Sequence, residues 1–416
     1  MDEMAMRAAI MHKRDGAALS REQWDGIIGA YVQGIVDDAQ MAALAMACVW
    51  RGLSIEEISA LTAAMVASGQ TLTYPAGMTV VDKHSSGGVS DVVSLVAVPL
   101  VAAWGVRVAK LSGRALGHTG GTVDKLETIP GFNVTPSMDR FMAQVQTVGC
   151  AIAAQTDSFV PADKRLYRLR DRTATIPSAG LIAASIVSKK VAGGASAFVF
   201  DVKCGSAAFM RDVHEATALA ETLVEISRSF GRRAHALVTD MNEPLGHCIG
   251  TALEVIEARD VLRGVAGDTR VRQGCIRVAA AMLELAGLEE PHAAAVDALE
   301  NGTGYEKFVE LIEAQGSSRA ALEAMKPHEH VQPVHAARGG FISTIDAVAL
   351  GNIAREWSAQ EPNAGIELLV RTGDPVEQGA AVAHVYGSRA HVAPVAHAIR
   401  IEDTAAPGRP LIYATI

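Results

Sequence analysis

Cysteine is scarce in this sequence, and its spacing argues against a disulfide framework. The chain of 416 residues contains five cysteines, an odd number without any CxxC pair, at Cys48, Cys150, Cys204, Cys248 and Cys275. Isolated cysteines of this kind are typical of proteins from a reducing compartment. We therefore expect a reduced protein of the cytoplasm.

An excess of basic residues and a long apolar run are also missing. The formal net charge is -9, whereas proteins that bind nucleic acids usually present a basic surface. No stretch of about 18 uncharged apolar residues occurs, so the sequence predicts no transmembrane helix. The first residues, MDEMAMRAAIMHKRDG, mix both charge signs and lack the basic-then-apolar order of a secretion signal. We expect neither nucleic acid nor membrane as a partner, and any anion site must be local.

The composition is that of a globular protein with large apolar cores. Hydrophobic residues make up 49% of the chain and charged residues 20%. Many of the apolar residues are alanine, which favours helix-rich α/β packing. At this length we expect two or three domains rather than one.

Two separate stretches predict a helical domain. Near the N terminus the sequence contains two capping boxes, in which a serine and a Gln or Glu three positions later satisfy the first amides of a helix: Ser20 with Gln23, and Ser54 with Glu57. Another helical stretch begins at Pro161 and continues through SAGLIAASIVSKK. We assign residues 1–70 and 161–192 to one discontinuous small helical domain. Because two connections cross between this domain and the rest, we expect a hinge.

An α/β pattern covers residues 78–155 and 195–325, which we assign to a large domain with a mixed sheet. Its start reads as a strand (MTVVD), a loop (KHSSGG), a helix (SDVVSLVAVPLVAAWG), a strand (VRVAKL) and a glycine-rich loop (SGRALGHTGG). Both loops follow strand ends, where open α/β sheets bind ligands. Farther on, AFVFDVK and AHALVTDM read as strands that flank a helix near 212–229.

The last part of the chain predicts a small α+β domain that is mainly β. The prolines and histidines of MKPHEHVQPV, residues 325–334, indicate a linker. Beyond it, GGFISTID, GIELLV and GDPVEQGAAVAHVYG read as short strands separated by glycine turns. We assign residues 332–416 to this C-terminal domain.

The two polar loops of the α/β domain are candidate anion sites. Backbone amides of a glycine loop that leads into a helix are unsatisfied donors at the positive end of the helix dipole. Lysines add full charge and hydroxyl groups add donors: Lys83, Ser85 and Ser94 around the first loop, and Lys110, Ser112 and Thr122 around the second. The alternative is a pair of ordinary surface loops, which becomes less attractive because both loops follow consecutive strands.

Arg170, Ser185 and Lys189 form a second candidate group. Ser185 and Lys189 are four positions apart and share a helix face, while Arg170 belongs to the preceding helix. Two cations and a hydroxyl can bind the carbonyl groups of a heterocycle. From spacing alone, however, solvated helix charges are the better interpretation.

Several long motifs of this sequence resemble the thymidine and pyrimidine-nucleoside phosphorylase family. They are KHSSGG, KLSGRALGHTGGTVDKLETIPGF, PADKRLYRLRDRTAT, SKK and DVKCGSAAFM, and the similarity extends to the closing PLIYATI. The resemblance implies reversible phosphorolysis of a pyrimidine nucleoside to free base and (deoxy)ribose 1-phosphate. It also implies a cleft between the helical and α/β domains, a homodimer through the helical domain, and no organic cofactor.

Site residues follow from the resemblance position by position. Phosphate is expected at Lys83, Ser85, Ser94, Lys110, Ser112 and Thr122. The base is expected at Arg170, Ser185 and Lys189, with His84 beside its 2-carbonyl as the proton donor. In the pyrimidine-type branch a monovalent cation, K⁺, is held largely by backbone carbonyls, at positions that match Ser90, Val92, Leu245, Cys248 and Glu257.

The sequence departs from the family pattern at a few positions near these sites. Ser86 replaces a usual threonine, Ser90 replaces a usual glycine, and TIPSAGLI at 175–182 replaces a more usual TVNSIPLI. The ending PLIYATI and the loop PLGHCIG are closer to the pyrimidine-type members, so we expect activity on uridine, thymidine and deoxyuridine. A thymidine phosphorylase restricted to 2′-deoxynucleosides is the alternative.

Two further alternatives come from other classes of protein. An anthranilate-type phosphoribosyltransferase shares the general fold but needs acids for magnesium and pyrophosphate, which Asp124 and Glu127 could resemble. A lipoyl-like carrier could use GDPVEQGAAVAHVYG, but it needs a lysine at the hairpin turn, and the sequence has no lysine after Lys326.

Overall fold

A computed structural model of the chain describes residues 2–114, 120–156, 158–265 and 269–416. Part of the second glycine-rich loop, residues 115–119, lies outside the described residues. The described residues form the following helices: α1 (Glu3–Arg14), α2 (Arg21–Val32), α3 (Asp38–Arg51), α4 (Ile55–Ala67), α5 (Val93–Ala103), α6 (Thr122–Leu126), α7 (Met138–Thr147), α8 (Pro161–Arg172), α9 (Ala179–Ala192), α10 (Val213–Ser229), α11 (Thr251–Leu262), α12 (Thr269–Ala286), α13 (Pro291–Glu300), α14 (Thr303–Ala314), α15 (Arg319–Ala324), α16 (Ala347–Gln360) and α17 (Val392–His397).

The strands of the described residues form three sheets. They are β1 (Val80–Ser85), β2 (Arg107–Ser112), β3 (Cys150–Ala154), β4 (Ala197–Cys204), β5 (Arg233–Asp240), β6 (Cys248–Ile249), β7 (Val331–His335), β8 (Gly340–Ile345), β9 (Gly365–Leu368), β10 (Pro375–Val376), β11 (Ala381–Tyr386), β12 (Ile399–Glu402) and β13 (Ile412–Thr415). The largest sheet has the order β13-β5-β4-β1-β2-β3, and the two smaller ones are β10-β8-β12 and β6-β9-β11-β7.

Both predicted capping boxes are formed. The backbone amide of Gln23 donates to the Ser20 hydroxyl, and that of Glu57 donates to the Ser54 hydroxyl. The helices α1 to α4 and the later pair α8 and α9 share one apolar core, which also includes one face of the large sheet through side chains such as Phe198 and Phe200. The early helices and the 161–192 stretch therefore form one body against the sheet.

The large sheet has the topology that creates a ligand crevice. β1 lies in parallel between β2 and β4, and the chain passes from β1 to β2 on one side but from β4 to β5 on the other. Connections that leave in opposite directions open a crevice at the carboxyl ends of β1 and β4. The crevice lies at the end of VVDKHS, where the polar residues begin.

The predicted boundary of the first polar loop is wrong. KHSSGG was expected to be a loop, but β1 runs on to Ser85, with Lys83 opposite Val199, His84 opposite Phe200 and Ser85 opposite Asp201 of β4. Backbone pairing with β4 continues through these residues, and this pairing outweighs the polar character of the three side chains. The loop begins at Ser86, and the three side chains occupy fixed sheet positions.

The C-terminal segment also differs from its predicted form. The 325–334 linker is interrupted, because β7 begins at Val331 and pairs with β11. Its two helices agree with the predicted α+β composition, but β6 of the preceding segment joins its sheet through β9. Its last strand, β13, leaves this unit and pairs antiparallel with β5. Since an uncovered sheet edge exposes unpaired backbone groups, β13 shields the edge of the large sheet and makes it mixed.

None of the helices in the described ranges combines the length and apolar character needed to cross a lipid bilayer.

Candidate active site

One cleft of about 600 Å³ lies between the strand ends and the helices α8 and α9. Among the predicted site residues, His84, Ser112, Ser185 and Lys189 line it. Phe159, Ile176, Ile182 and Phe209 add apolar and aromatic surface. A mostly apolar cavity with a few convergent polar groups is typical of a small-molecule site.

Lys83 lies directly behind the cleft wall, in a buried cationic group. Its side chain is completely buried, with Nζ 3.2 Å from a carboxylate oxygen of Asp201 and 3.5 Å from the hydroxyl oxygen of Ser94. Lys110 is buried beside it and donates to the backbone carbonyl of Lys83 at 2.8 Å. Burial, assisted by the charge of Lys190, lowers the pKa of Lys110 to about 7. An anion at this place would compensate the positive charge that the fold concentrates here.

Ser85 and Asp91 connect this group to the loop that precedes α5. The Ser85 hydroxyl donates to Asp91 at 2.7 Å, and Lys203 lies 3.7 Å from the same carboxylate oxygen. Although burial opposes ionisation, the charges of Lys203, Lys83 and Lys125 hold the pKa of Asp91 below its usual range. Because its proton points at Asp91, the Ser85 hydroxyl must turn before it can donate to a bound anion. Sequence reasoning missed Asp91, since a single acid in a loop gives no signal of burial.

His84 follows Lys83 on β1 and lines the cleft. Burial, together with the charges of Lys190, Lys110, Lys189 and Lys83, holds the pKa of the imidazole well below its usual value. His84 is therefore neutral in the ligand-free protein. In this state it can donate a hydrogen bond to a carbonyl group, but it carries no excess proton.

Lys189 is held in the cleft by two side chains. Its Nζ donates to a carboxylate oxygen of Asp163 at 2.6 Å and to the Ser185 hydroxyl at 2.8 Å. It also lies 5.7 Å from the centre of the Tyr167 ring. Asp163 and Tyr167 line the cleft from α8. Sequence reasoning missed both residues, although their spacing of one helical turn within PADKRLY places them on one face of α8.

Arg170 does not line the cleft. Its buried guanidinium donates to the backbone carbonyls of Thr175, Ile176 and Leu181, at 3.0, 2.7 and 3.1 Å. Burial lowers its pKa to about 10, so the group stays charged at neutral pH. Arg170 thus fixes the connection from α8 to α9. This connection contains the first half of the 175–182 departure and brings Ile176 to the cleft, with Ile182 following on α9.

The remaining predicted phosphate ligands, Ser94 and Thr122, lie outside the cleft lining. Ser94 is buried in the first turn of α5, within reach of Lys83, and Thr122 is half-buried in α6. The acids that could resemble a magnesium site are already paired. Arg114 donates to Asp124 at 2.8 Å and to Glu127 at 2.6 and 3.1 Å. Within the described residues, no cluster of three or more His, Cys, Asp or Glu side chains suits a metal ion.

The five residues predicted for a monovalent cation lie together but do not fit one as they stand. The Ser90 hydroxyl is 2.5 Å from the carbonyl oxygen of Cys248 and 3.4 Å from a Glu257 carboxylate oxygen. The carbonyl of Leu245 accepts a hydrogen bond from Arg371 at 2.8 Å, and that of Val92 accepts one from Leu95 at 2.9 Å. Internal donors therefore already use the oxygens that a cation would need.

Two family models match the chain. The model described as "Glycosyl transferase family, a/b domain" matches residues 77–305, and the one described as "Glycosyl transferase family, helical bundle domain" matches residues 7–69.

Relatives with known names match over the whole length. The chain is 41% identical to the pyrimidine-nucleoside phosphorylase of Geobacillus stearothermophilus, covering 99% of this chain and 100% of that protein. It is 43% identical to the thymidine phosphorylase of Mycobacterium tuberculosis, covering 98% and 97%. Among solved structures, anthranilate phosphoribosyltransferase from Thermus thermophilus matches with a TM-score of 0.60 at 19% identity, over 76% of this chain and 99% of that one. This last similarity shows the fold alone.

Proposed function

Because the chain belongs to the family of pyrimidine-nucleoside and thymidine phosphorylases, we propose that it catalyses reversible phosphorolysis of pyrimidine nucleosides in its cleft. A phosphate oxygen forms a bond to the anomeric carbon of the sugar, and the bond from that carbon to the base nitrogen breaks. The electron pair leaves with the base, which takes up the proton that the attacking hydrogen phosphate gives up. The products are free base and ribose or deoxyribose 1-phosphate, which is the chemistry of pyrimidine salvage.

The observation that carries the proposal is a cleft with two cationic groups, one in its lining and one buried behind its wall. The strand ends supply Lys83 and Lys110, and α9 supplies Lys189 beside Ser185. One anion attacks the anomeric carbon while another departs from it, so positive charge is needed on both sides of that carbon. The acids that a phosphoribosyltransferase would need for magnesium are instead neutralised by an arginine.

We assign phosphate to the strand-end group. Lys83 and Lys110 supply charge, and hydroxyl groups supply hydrogen-bond donors, from Ser85, Ser94, Ser112 and Thr122. Such donors replace the water around phosphate and orient it towards the anomeric carbon. Unlike a full proton transfer, they leave phosphate nucleophilic. Asp201 keeps Lys83 oriented before the anion binds, and the Lys83 carbonyl holds Lys110.

We assign the base to Lys189, Ser185 and His84, with Arg170 in support. The departing base gathers negative charge on its carbonyls and ring nitrogen, and Lys189 stabilises that charge. Asp163 holds Lys189 at 2.6 Å and fixes the direction of its ammonium group. Arg170 acts on the base indirectly, because it binds backbone carbonyls within residues 175–181 and so fixes the position of this segment.

Phosphate and base are assigned to different parts of the fold, so catalysis requires the cleft to close. The connections between the helical body and the sheet form the proposed hinge. Closure excludes water, which would otherwise compete with phosphate as the attacking group.

We further propose a cytoplasmic homodimer. The helical body exposes large apolar side chains, among them Met4 and Trp50, each 81% exposed, and Ile35, 60% exposed. Apolar side chains of this size on one body favour an interface with a second copy. All five cysteines are free thiols, in keeping with a reducing compartment.

The first prediction is that base release depends on phosphate. With uridine, thymidine and deoxyuridine assayed side by side, release of base should stop in phosphate-free buffer and return with phosphate. Arsenate should also restore it, because a tetrahedral oxyanion of similar size meets the same donors, and the sugar arsenate should then hydrolyse. Chromatography of base and sugar products measures each arm.

Each contrary outcome identifies a different enzyme. Base release in water alone would indicate a nucleoside hydrolase, and a requirement for magnesium with a pyrophosphorylated sugar would indicate a phosphoribosyltransferase. Turnover of uridine about a hundredfold below that of thymidine would replace the broad pyrimidine specificity by a restriction to deoxynucleosides.

The second prediction concerns His84. His84→Ala should slow turnover by about a hundred- to ten-thousand-fold, because the departing base loses the hydrogen-bond donor beside its carbonyl group. The dependence on phosphate should remain, since Lys83 and Lys110 are untouched. His84→Gln keeps a donor in the cleft and should recover part of the lost rate. Equal turnover in His84→Ala and the unaltered enzyme would remove His84 from the mechanism.

A further inference from the structure

Ser90, Leu245, Cys248, Glu257 and Arg371 form a polar cluster beneath the phosphate loop, which we call the Ser90 junction. We propose that the Ser90 hydroxyl and the Arg371 guanidinium replace the monovalent cation expected at this junction. The chain then holds its phosphate loop through its own side chains and needs no K⁺ to do so. The inference rests on the proposed function, because it concerns the loop of the same phosphate site.

Ser90 occupies the space between the oxygens that a cation would bridge. Its Oγ lies 2.5 Å from the carbonyl oxygen of Cys248 and 3.4 Å from Oε2 of Glu257. The other side of this space is closed, since a Cβ placed on Gly246 would lie 2.6 Å from the Ser90 hydroxyl oxygen and closer still to Glu257. The hydroxyl therefore fills the position itself.

The backbone of Ser90 has a conformation in which serine is uncommon. Its φ is +55°, in the left-handed region where residues with a side chain are uncommon and glycine is favoured. The sequence departs from the usual glycine here in spite of that conformation. A side chain that is retained in an unfavourable backbone conformation has a role for its functional group, and here the group is the hydroxyl, which donates its one proton to the Cys248 carbonyl and lies beside Glu257.

Arg371 supplies the positive charge. From the C-terminal segment its Nη1 donates to the carbonyl of Pro244 at 2.6 Å and its Nη2 to that of Leu245 at 2.8 Å. A permanent cation at a carbonyl of the junction supplies charge that a metal ion would otherwise bring there. The other oxygens accept internal amides, from Gly246 to the carbonyl of Ser90 at 3.1 Å and from His247 to Glu257 at 2.6 Å.

The junction acts on the phosphate site through the loop that it anchors. Ser90 is followed directly by Asp91, which binds Ser85, and the carbonyl of Asp91 accepts a hydrogen bond from Lys125 at 2.8 Å. Ser94 lies one turn farther along. Ser90 and Arg371 are thus positioning residues, because they fix the loop that sets the direction of the phosphate donors.

The test compares thermal unfolding in potassium, sodium and choline chloride at equal ionic strength. The unaltered enzyme should show the same Tm and the same KM for phosphate in all three salts. Ser90→Gly removes the hydroxyl, frees its space and suits a φ of +55°, so it should fold. Its Tm should be higher in potassium than in choline by about 2–4 °C, because the opened position can now take a cation.

Ser90→Ala is the matched control, since it removes the hydroxyl but leaves the Cβ in place. It should lose stability and raise the KM for phosphate, without any difference between potassium and choline. Arg371→Met should raise the KM for phosphate severalfold. A Tm or phosphate KM of the unaltered enzyme that improves in potassium relative to choline would overturn the proposal. The proposal would also be overturned if the Tm of Ser90→Gly were the same in potassium and in choline. The Tm comparison needs no turnover, so its failure is distinct from a failure of the proposed reaction.

Discussion

Lys189→Ala is expected to lower kcat/KM for every nucleoside by about 100- to 1,000-fold, while the KM for phosphate changes by less than about twofold. The loss arises in the transition state, where the departing base carries a charge that Lys189 stabilises. Phosphate is bound by the strand-end group, which the substitution does not touch. Steady-state kinetics with each substrate varied in turn separates the two effects.

The controls for this variant come from the same cleft. Lys164 also lines the cleft, outside the group formed by Lys189, Ser185 and Asp163. Lys164→Ala should change kcat/KM by less than about threefold, since an exposed charge contributes little. Asp163→Asn keeps the shape but weakens the hold on Lys189, so it should lower kcat more than it changes the KM for phosphate. If Lys164→Ala and Lys189→Ala lowered kcat/KM equally, Lys189 would have no specific role in stabilising the departing base.

Lys83→Met should raise the KM for phosphate by about ten- to two-hundred-fold, since it removes a charge-assisted interaction of about 1.5–3 kcal/mol. It should also destabilise the protein by about 3–5 kcal/mol, because it breaks a fully buried ion pair with Asp201. Asp201 keeps Lys203 at 2.9 Å, so one buried partner remains and the fold should survive. Phosphate titration and denaturant unfolding measure the two effects.

Lys13→Met separates loss of stability from loss of phosphate binding. Lys13 is buried and pairs with Glu57 at 2.7 Å within the helical body, away from the strand ends. Its replacement should cost a similar free energy of unfolding and leave the KM for phosphate unaltered. If both variants shift the KM for phosphate alike, the strand-end group has no special relation to phosphate.

The sequence predicted those parts of the fold that depend on local signals. Capping boxes mark helix starts with hydrogen bonds three residues apart, and both predicted boxes are present at Ser20 and Ser54. The order of strands and helices around VVDKHSSGG was also predictable, because apolar runs and glycine loops alternate there. The resemblance to a known family placed the candidate residues near one cleft.

Tertiary pairings account for what the sequence did not predict. The extension of β1 through Lys83, His84 and Ser85 depends on β4, more than a hundred positions away. Asp163 and Asp91 became visible only as buried partners of lysines. Arg371 had no local motif at all, and only the approach of the C-terminal segment to residues 244–245 reveals its contact. Burial of a charge is a property of the assembled fold.

The pairing of β13 with β5 has a consequence for how the chain reaches its native state. Tyr413 donates to Asp240, a residue 173 positions earlier in the chain, at 2.7 Å. A ribosome releases the strands of the large sheet in order, so β5 is made long before the strand that covers its edge. Contacts this distant close late and slowly. The nascent chain must therefore carry an open sheet edge while the residues between β5 and β13 are made, and chaperone demand should be greatest in that interval.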